Sequence, residues 1–334
     1  MQENREEELP YRIGALLYMP AFQKNIVSKV LHGNIPCLTS IAFCLEDTVR
    51  EEALDDAEQS LHAILRKLVT VQQEKAELPL VFVRVRTPEH FQHILRLYED
   101  VRPIITGFVL PKFDLTNADA YLRTVKEENC AGRRTYIMPT LESSMIANCD
   151  TRHAVLHELY NKLFEVHDDV LNVRVGGNDF SNLYGLRRPA SATIYDVGIV
   201  RDILVDILNV FAKDYVVSGP VWNYFGKPGD ASWEAGLERE LTLDRINGFV
   251  GKTAIHPCQL PLIYENLQVT REDYEDACRL ADWSPAQLGV QKGVGGHRMN
   301  EVNCHSRWAR RILALAQIYG IREEAGGAER EHMV

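Results

Sequence analysis

Eight short, apolar, β-branched runs, each followed by a helix-like stretch, predict an α/β protein: a (β/α)8 TIM barrel with a C-terminal helical extension. The alternation occupies about 250 residues, the usual size of such a barrel, within a chain of 334. No linker-like stretch interrupts it. A doubly wound open sheet would show the same alternation, but no GxGxxG follows the first run, and that counts against a dinucleotide fold.

The runs come in order. RIGALLYMP ends near Pro20, and SIAFCLED begins at Ser40. LPLVFVRVR begins at Leu78, ITGFVLPK at Ile105 and RTYIMPTLE at Arg134. VLNVRVGGND begins at Val170, DYVVSGPVW at Asp214 and GKTAIHP at Gly251. Their nearly unbroken apolar character is that of parallel strands covered on both faces. After the second run, REEALDDAEQSLHAILRKLVTVQQEK places Leu54, Ala57, Leu61, Ile64, Leu65 and Leu68 on one helical face. TIYDVGIVRDILVDILNVFAKD repeats that pattern after the sixth. The barrel domain is expected over residues 11–283.

From Ser284 the chain turns Gly-rich and polar, and RWARRILALAQIYG then reads as a final helix. Its apolar positions are Trp308, Ile312, Leu313, Leu315 and Ile318. Residues 284–334 are expected to be an extension of loop, helix and frayed tail. The face of that helix must be covered, by the chain itself or by a neighbouring subunit. The glycines of GVGGHRMNEVN suit a movable lid, with His297, Arg298 or Asn300 facing a ligand.

Composition narrows the function. With 46% hydrophobic and 25% charged residues, the chain is an ordinary soluble globular protein. A net charge of −10 argues against a nucleic-acid-binding surface, which is usually basic. Seven cysteines with no CxxC pair fit neither a zinc site nor a disulfide framework and read as reduced thiols. MQENREEELP is too polar and acidic for a secretory signal. No apolar run approaches the roughly 18 residues of a membrane span. The expectation is a cytoplasmic protein without membrane or nucleic-acid partners.

Active sites of such barrels lie at the C-terminal ends of the strands. There the sequence places Glu46 and Asp47, Arg84, Lys112, Glu142, Asn178 and Asp179, then Asn223 and His256. Each alone has a structural reading, since strand-terminal Asp often caps the next helix. Their convergence points to a site. Crowded carboxylates repel, so one of them should hold a proton or a cation. Glu142 and Asp179 come from adjacent strands and could share an ion. Oxygen ligands with open positions suit Mg2+, and no His-rich spacing points to zinc. The histidines read as surface or core, except His256 before Pro257, a candidate hydrogen-bond donor. Gly176 and Gly177 would let backbone amides approach a ligand.

These strand ends, in this order, resemble those of the citrate lyase β-subunit-like C–C bond lyases, the HpcH/HpaI aldolase and malyl-CoA lyase group. The likeness runs from Leu16 to Leu280. LYMPA resembles that family's first strand, FCLEDTV its DLEDAV segment, VRVRTPE its Arg-bearing third strand and GFVLPKFD its GIVLPKVE. PTLESSM stands where the family has a metal-binding Glu, and VGGNDFSNLYG where it has a metal-binding Asp. GFVGKTAIHPCQL is similar to its GFxGKxxIHPxQ.

The resemblance implies Mg2+ on Glu142 and Asp179, and Arg84 on the substrate's carboxylate or developing enolate. Glu46 and Asp47 would organise metal-bound water and neighbouring groups, with Lys112 beside them. Gly177, Asn178 and His256 are expected to line the substrate. The implied reaction is retro-aldol or retro-Claisen cleavage of a small oxo- or hydroxy-acid, or of its CoA thioester, in a homotrimer or homohexamer. Thioesterase or condensing chemistry, or metabolite binding without catalysis, are the alternatives. Ala21 and Lys24 stand where the family has Gly and Arg. The loop GPVWNYFGKPGDASW lacks the usual acidic short form, and the C-terminal segment resembles a divergent subgroup found among stress-associated gene clusters. These departures leave the use of CoA open.

Overall fold

All eight runs become strands of one parallel sheet in the computed structural model, which describes residues 2–22, 25–31, 33–73, 78–283 and 289–322. The strands are β1 (Ala15–Pro20), β2 (Ser40–Cys44), β3 (Leu80–Arg84), β4 (Gly107–Leu110), β5 (Tyr136–Leu141), β6 (Val173–Val175), β7 (Val217–Ser218) and β8 (Lys252–Ala254). Each of β1 to β7 pairs with its sequence neighbour, and β1 also pairs with β8. The remaining seam closes through a parallel bridge between Gly219 and Lys252 and a hydrogen bond from Val250 N to Val217 O at 2.9 Å. The sheet is therefore a barrel and not an open layer. β7 is short because Gly219 and Pro220 follow it, and proline has no N–H for a ladder.

Helix Leu54–Gln73 buries Ala57, Leu61, Ile64, Leu65 and Leu68, the face the periodicity selects; Leu54, at its first position, stays half-buried. Inside the barrel wall lies a charged network that the periodicity does not show. Lys252 Nζ sits 2.9 Å from Glu240 Oε1 and 2.7 Å from Asp244 Oδ2. Arg188 meets Glu240 at 3.0 Å, and Tyr195 donates its hydroxyl to Asp244. The network ties helix Ala231–Asn247 to β8. Removing one member strands the others in a low-dielectric interior, which costs about 3–5 kcal/mol. Lys252→Met should accordingly lower the unfolding free energy read from urea titration by that order, while leaving ligand binding by the residual folded protein unchanged.

The chain divides into two compact units, Arg12–Ile263 and a second made of Met1–Tyr11 with Tyr264–Val334. The first holds the barrel. The second includes helix Arg271–Ala281, the hairpin Val290–Lys292 and Met299–Glu301, and helix Val302–Tyr319. The final helix buries Ala309, Ile312, Leu315, Ala316 and Tyr319. Its covered face thus differs from the expected one: Trp308, Leu313 and Ile318 are only half-buried, and the alanines permit close approach to helix Arg271–Ala281. Sequence pattern carried no sign of helix Gln2–Arg12, whose Tyr11 carbonyl accepts the Tyr319 hydroxyl at 2.7 Å.

Arg298 is turned into this second unit, 2.5 Å from Asp276 and 2.7 Å from Asp273. Asn300 is buried, and the Val294 N–H donates to Asp276 Oδ1 at 2.7 Å. Arg298 clasps the hairpin to helix Arg271–Ala281, which corrects the expectation that it faces a ligand. Lys24 and the tail from residue 323 lie outside the described residues. No helix among those described is long and apolar enough to cross a membrane.

Candidate active site

Four strand ends build one connected cluster. Arg84, the last residue of β3, is buried with its Nη2 3.0 Å from Glu46 Oε2 and 3.2 Å from Glu142 Oε1. Its Nη1 lies 3.2 Å from Asp47 Oδ2. Lys112 follows β4 and reaches Glu46 Oε1 at 2.6 Å and Asp47 Oδ1 at 3.5 Å. Its backbone N–H donates to Glu142 Oε1 at 2.9 Å. Lys112 holds φ at +48°, a conformation a non-glycine residue adopts only where its surroundings over-determine it, as active sites commonly do.

Electrostatics separates the four carboxylates. Burial pushes Glu142 up to about 8; Arg84 opposes this, and the Asp179 charge adds to it. Burial also raises Glu46 against the pull of Arg84 and Lys112. Asp47 is more exposed; its hydrogen bond with Glu46 and the charge of Arg84 overcome the effect of burial and hold it below the ordinary value. Asp179 lies in the first turn of helix Gly177–Leu183, where an acid suits the helix dipole. No hydrogen bond or ion pair engages its carboxylate among the described residues.

Glycine makes room for Glu142. A Cβ on Gly176 would overlap Glu142 Oε2 and Cβ, and one on Gly177 would press on Pro220. Gly176→Ala should therefore displace Glu142 and weaken any ion held by it by at least about tenfold in calorimetry, comparable to losing a supporting partner. An unchanged affinity would dissociate Glu142 from that ion.

The structure brings Glu46, Asp47, Arg84, Lys112 and Glu142 into one cluster, with Asp179 acting on it through charge. The other sequence candidates stand at neighbouring strand ends outside these hydrogen bonds. Asn178 is exposed and accepts from Asn223 Nδ2 at 2.8 Å. His256 uses Nδ1 to accept from the backbone N–H of Cys258 and stacks on Phe225 at 4.6 Å. In this geometry its Nδ1 is an acceptor capping the next turn.

Sequence reasoning passed over three supports. Tyr18 of β1 places its ring 5.5 Å from the Arg84 guanidinium, which lies over it. Arg86 bonds the carbonyls of Leu45, Glu46 and Val49 and so fixes the loop that carries Glu46 and Asp47. Gln259 joins the loops after β7 and β8 by accepting from Ile255 N and donating to the carbonyls of Trp222 and Tyr224. The second arginine of VRVRTPE was the available signal for Arg86; nothing local marks Tyr18.

The donor set fits a hard divalent cation. Among the described residues no group of three or more His, Cys, Asp or Glu could hold an ion; the carboxylates of Glu142 and Asp179 are two that could offer oxygens to one. Two carboxylates with the remaining positions left to water and substrate is the arrangement Mg2+ favours. A carboxylate displaced toward its proton-bearing form by burial, with a neighbouring carboxylate adding to the shift, is one whose charge a cation would neutralise.

A family described as C–C bond lyase of the TIM-barrel fold matches residues 7–321. No curated protein sequence matches. Among solved structures, a citrate lyase from Burkholderia xenovorans LB400 superposes with a TM-score of 0.66 at 16% identity, over 93% of this chain and 94% of that one. CitE from Mycobacterium tuberculosis, in complex with magnesium, acetoacetate and coenzyme A, gives 0.61 at 18% identity over 92% and 99%. A citrate lyase beta subunit from M. tuberculosis, complexed with oxaloacetate and magnesium, gives 0.50 at 18% over 77% and 98%. At these identities the superpositions establish the barrel fold alone.

Proposed function

This chain belongs to the C–C bond lyase family of TIM-barrel enzymes, and on that premise we propose that it cleaves a carbon–carbon bond of a small oxo- or hydroxy-acid with Mg2+ as cofactor. The observation that carries the reading is Glu142, a buried carboxylate pushed up to about 8 and acted on by the charge of Asp179. The magnesium and the small oxo-acids of the M. tuberculosis structures support the same ion and substrate class.

Glu142 and Asp179 would hold Mg2+, which when bound would supply Lewis-acid polarisation of a substrate carbonyl. Arg84 offers a planar fork suited to a carboxylate or to an oxygen gaining charge. As the bond breaks, its electron pair moves toward the carbonyl oxygen, and Arg84 faces that charge. The hydroxyl that becomes the new carbonyl gives its proton to a carboxylate. Glu46, raised by burial, is suited to take the proton and return it. Asp47 and Lys112 keep Glu46 and Arg84 in place.

The test is turnover on 2-oxo, 2-hydroxy and 3-hydroxy acids and their CoA thioesters, with Mg2+ or with a chelator, products being read by NMR. Mg2+-dependent appearance of two carbonyl-bearing fragments is expected. Thioester hydrolysis alone would make the protein a thioesterase, and binding without turnover would make it a metabolite-binding protein.

A further inference from the structure

Glu58 lies on helix Leu54–Gln73 and is buried. Its two oxygens meet imidazoles of helix Pro88–Leu97, which follows β3. His90 Nε2 is 2.9 Å from Oε1, and His93 Nε2 is 2.9 Å from Oε2. The Tyr98 hydroxyl donates to the Glu58 carbonyl at 2.9 Å. Two histidines and a carboxylate suggest metal ligands, but the proton positions argue otherwise. The Arg86 backbone N–H donates to His90 Nδ1 at 2.9 Å. A backbone N–H can only donate, so Nδ1 is the bare nitrogen and Nε2 carries the ring proton. That Nε2 donates to Glu58 and has no lone pair for an ion.

The surroundings keep His90 in this form. It is buried, and burial holds its pKa below the ordinary value against the pull of Glu58; the charges of His93 and Arg86 act in the same direction as burial. A proton on Nδ1 would face the Arg86 N–H. The His90 backbone N–H is held as well, by Thr87 Oγ1 at 3.2 Å. His93 differs. Half of its side chain is exposed, and its ring reaches Glu58 and stacks on His90 without a bond to Arg86.

Arg86 carries the orientation onward. Its Nε donates to the Leu45 carbonyl at 2.7 Å, and its Nη2 donates to the carbonyls of Glu46, at 3.4 Å, and Val49. An unbroken chain of hydrogen bonds thus runs from Glu58 through His90 and Arg86 to the loop that bears two members of the cluster.

We propose that His90 is a positioning residue of the candidate site: held by Glu58 in its Nε2-protonated tautomer, it fixes Arg86 and through it the loop that presents Glu46 and Asp47. Only its effect on turnover rests on the lyase reading above.

Nitrogen-resolved NMR of the histidine rings in the full chain reads the tautomer. A bare Nδ1 and a protonated Nε2 are expected for His90 at neutral pH. The opposite tautomer, or a doubly protonated ring, overturns the inference without any variant. Amide hydrogen exchange reads the loop, because the Asp47 N–H donates to Glu46 Oε2 and the Val49 N–H to the Glu46 carbonyl. His90→Gln can still reach Glu58 but leaves the Arg86 N–H without an acceptor. His90→Asn sets an amide oxygen where Nδ1 stood and falls short of Glu58. His90→Gln should speed exchange at Asp47 and Val49 by about tenfold, the size of one lost hydrogen bond. His90→Asn should restore most of the protection, and His93→Gln should stay close to the parent. Parental exchange in His90→Gln, equal acceleration in His93→Gln, or acceleration spread over the whole barrel would overturn the inference. Should His90→Gln fail to fold, the parent tautomer and His90→Asn still decide: fast loop exchange in a folded His90→Asn overturns it. Where the parent turns over, His90→Gln should lower kcat by about the same tenfold and spare Mg2+ affinity, since neither proposed ligand is on that loop. A loosened loop in a protein without turnover keeps His90 and sinks the lyase reading, whereas turnover with an undisturbed loop does the reverse.

Discussion

Glu142→Gln and Asp179→Asn should each abolish Mg2+ binding while leaving the barrel folded. Both replacements are near-isosteric. In Glu142→Gln the side-chain amide oxygen would still accept the Lys112 backbone N–H that now bonds Glu142 Oε1. The loss should exceed the roughly 10–100-fold that follows removal of a supporting partner of a ligand. Calorimetry checks it, and parental affinity in both variants would mean the ion sits elsewhere. A pH dependence accompanies this. The folded pKa of Glu142, about 8, lies above its ordinary value of 4.5. A group shifted upward contributes stability that is fully present below the unfolded value and is lost as pH rises through the folded one. The melting temperature of chelated protein should therefore fall as pH is raised across that interval. Mg2+ should oppose the fall, and Glu142→Gln should flatten it.

Arg84→Lys should remove most turnover and spare Mg2+ binding. The guanidinium holds Glu46, Asp47 and Glu142 at once, and one ammonium cannot reproduce that geometry. A loss in kcat of about 10²–10³ is expected, the size seen when one donor to a developing oxyanion is removed. Mg2+ affinity should change by no more than a few-fold. Near-parental kcat would take Arg84 out of the chemistry.

The barrel was legible because each strand is a run buried on both faces, a pattern that needs no tertiary information. Helix Gln2–Arg12 was not, because Glu6, Glu7, Glu8 and Pro10 read as a polar terminus, and the Tyr11–Tyr319 hydrogen bond that holds it joins opposite ends of the chain. In the site, Glu46, Arg84, Lys112 and Glu142 were readable from their place at strand ends. Asn178 and His256 share that placement yet fall outside the cluster, because a strand end fixes height in the barrel but not side-chain direction. Lys252, within the eighth-strand motif, anchors Glu240 and Asp244 in space. Tyr18 was invisible because an apolar run hides inward-facing polar residues until the barrel closes around them.

An ion at Glu142 and Asp179, as proposed, would act with Arg84 to stabilise negative charge beside a carbonyl. Exchange of the pyruvate methyl protons for deuterium in D2O, followed by proton NMR, reads that property without knowledge of the full substrate. Exchange well above the Mg2+-buffer rate is expected, stopped by a chelator and by Glu142→Gln, and strongly slowed by Arg84→Lys. Exchange no faster than in buffer, or unchanged in these variants, would contradict the account.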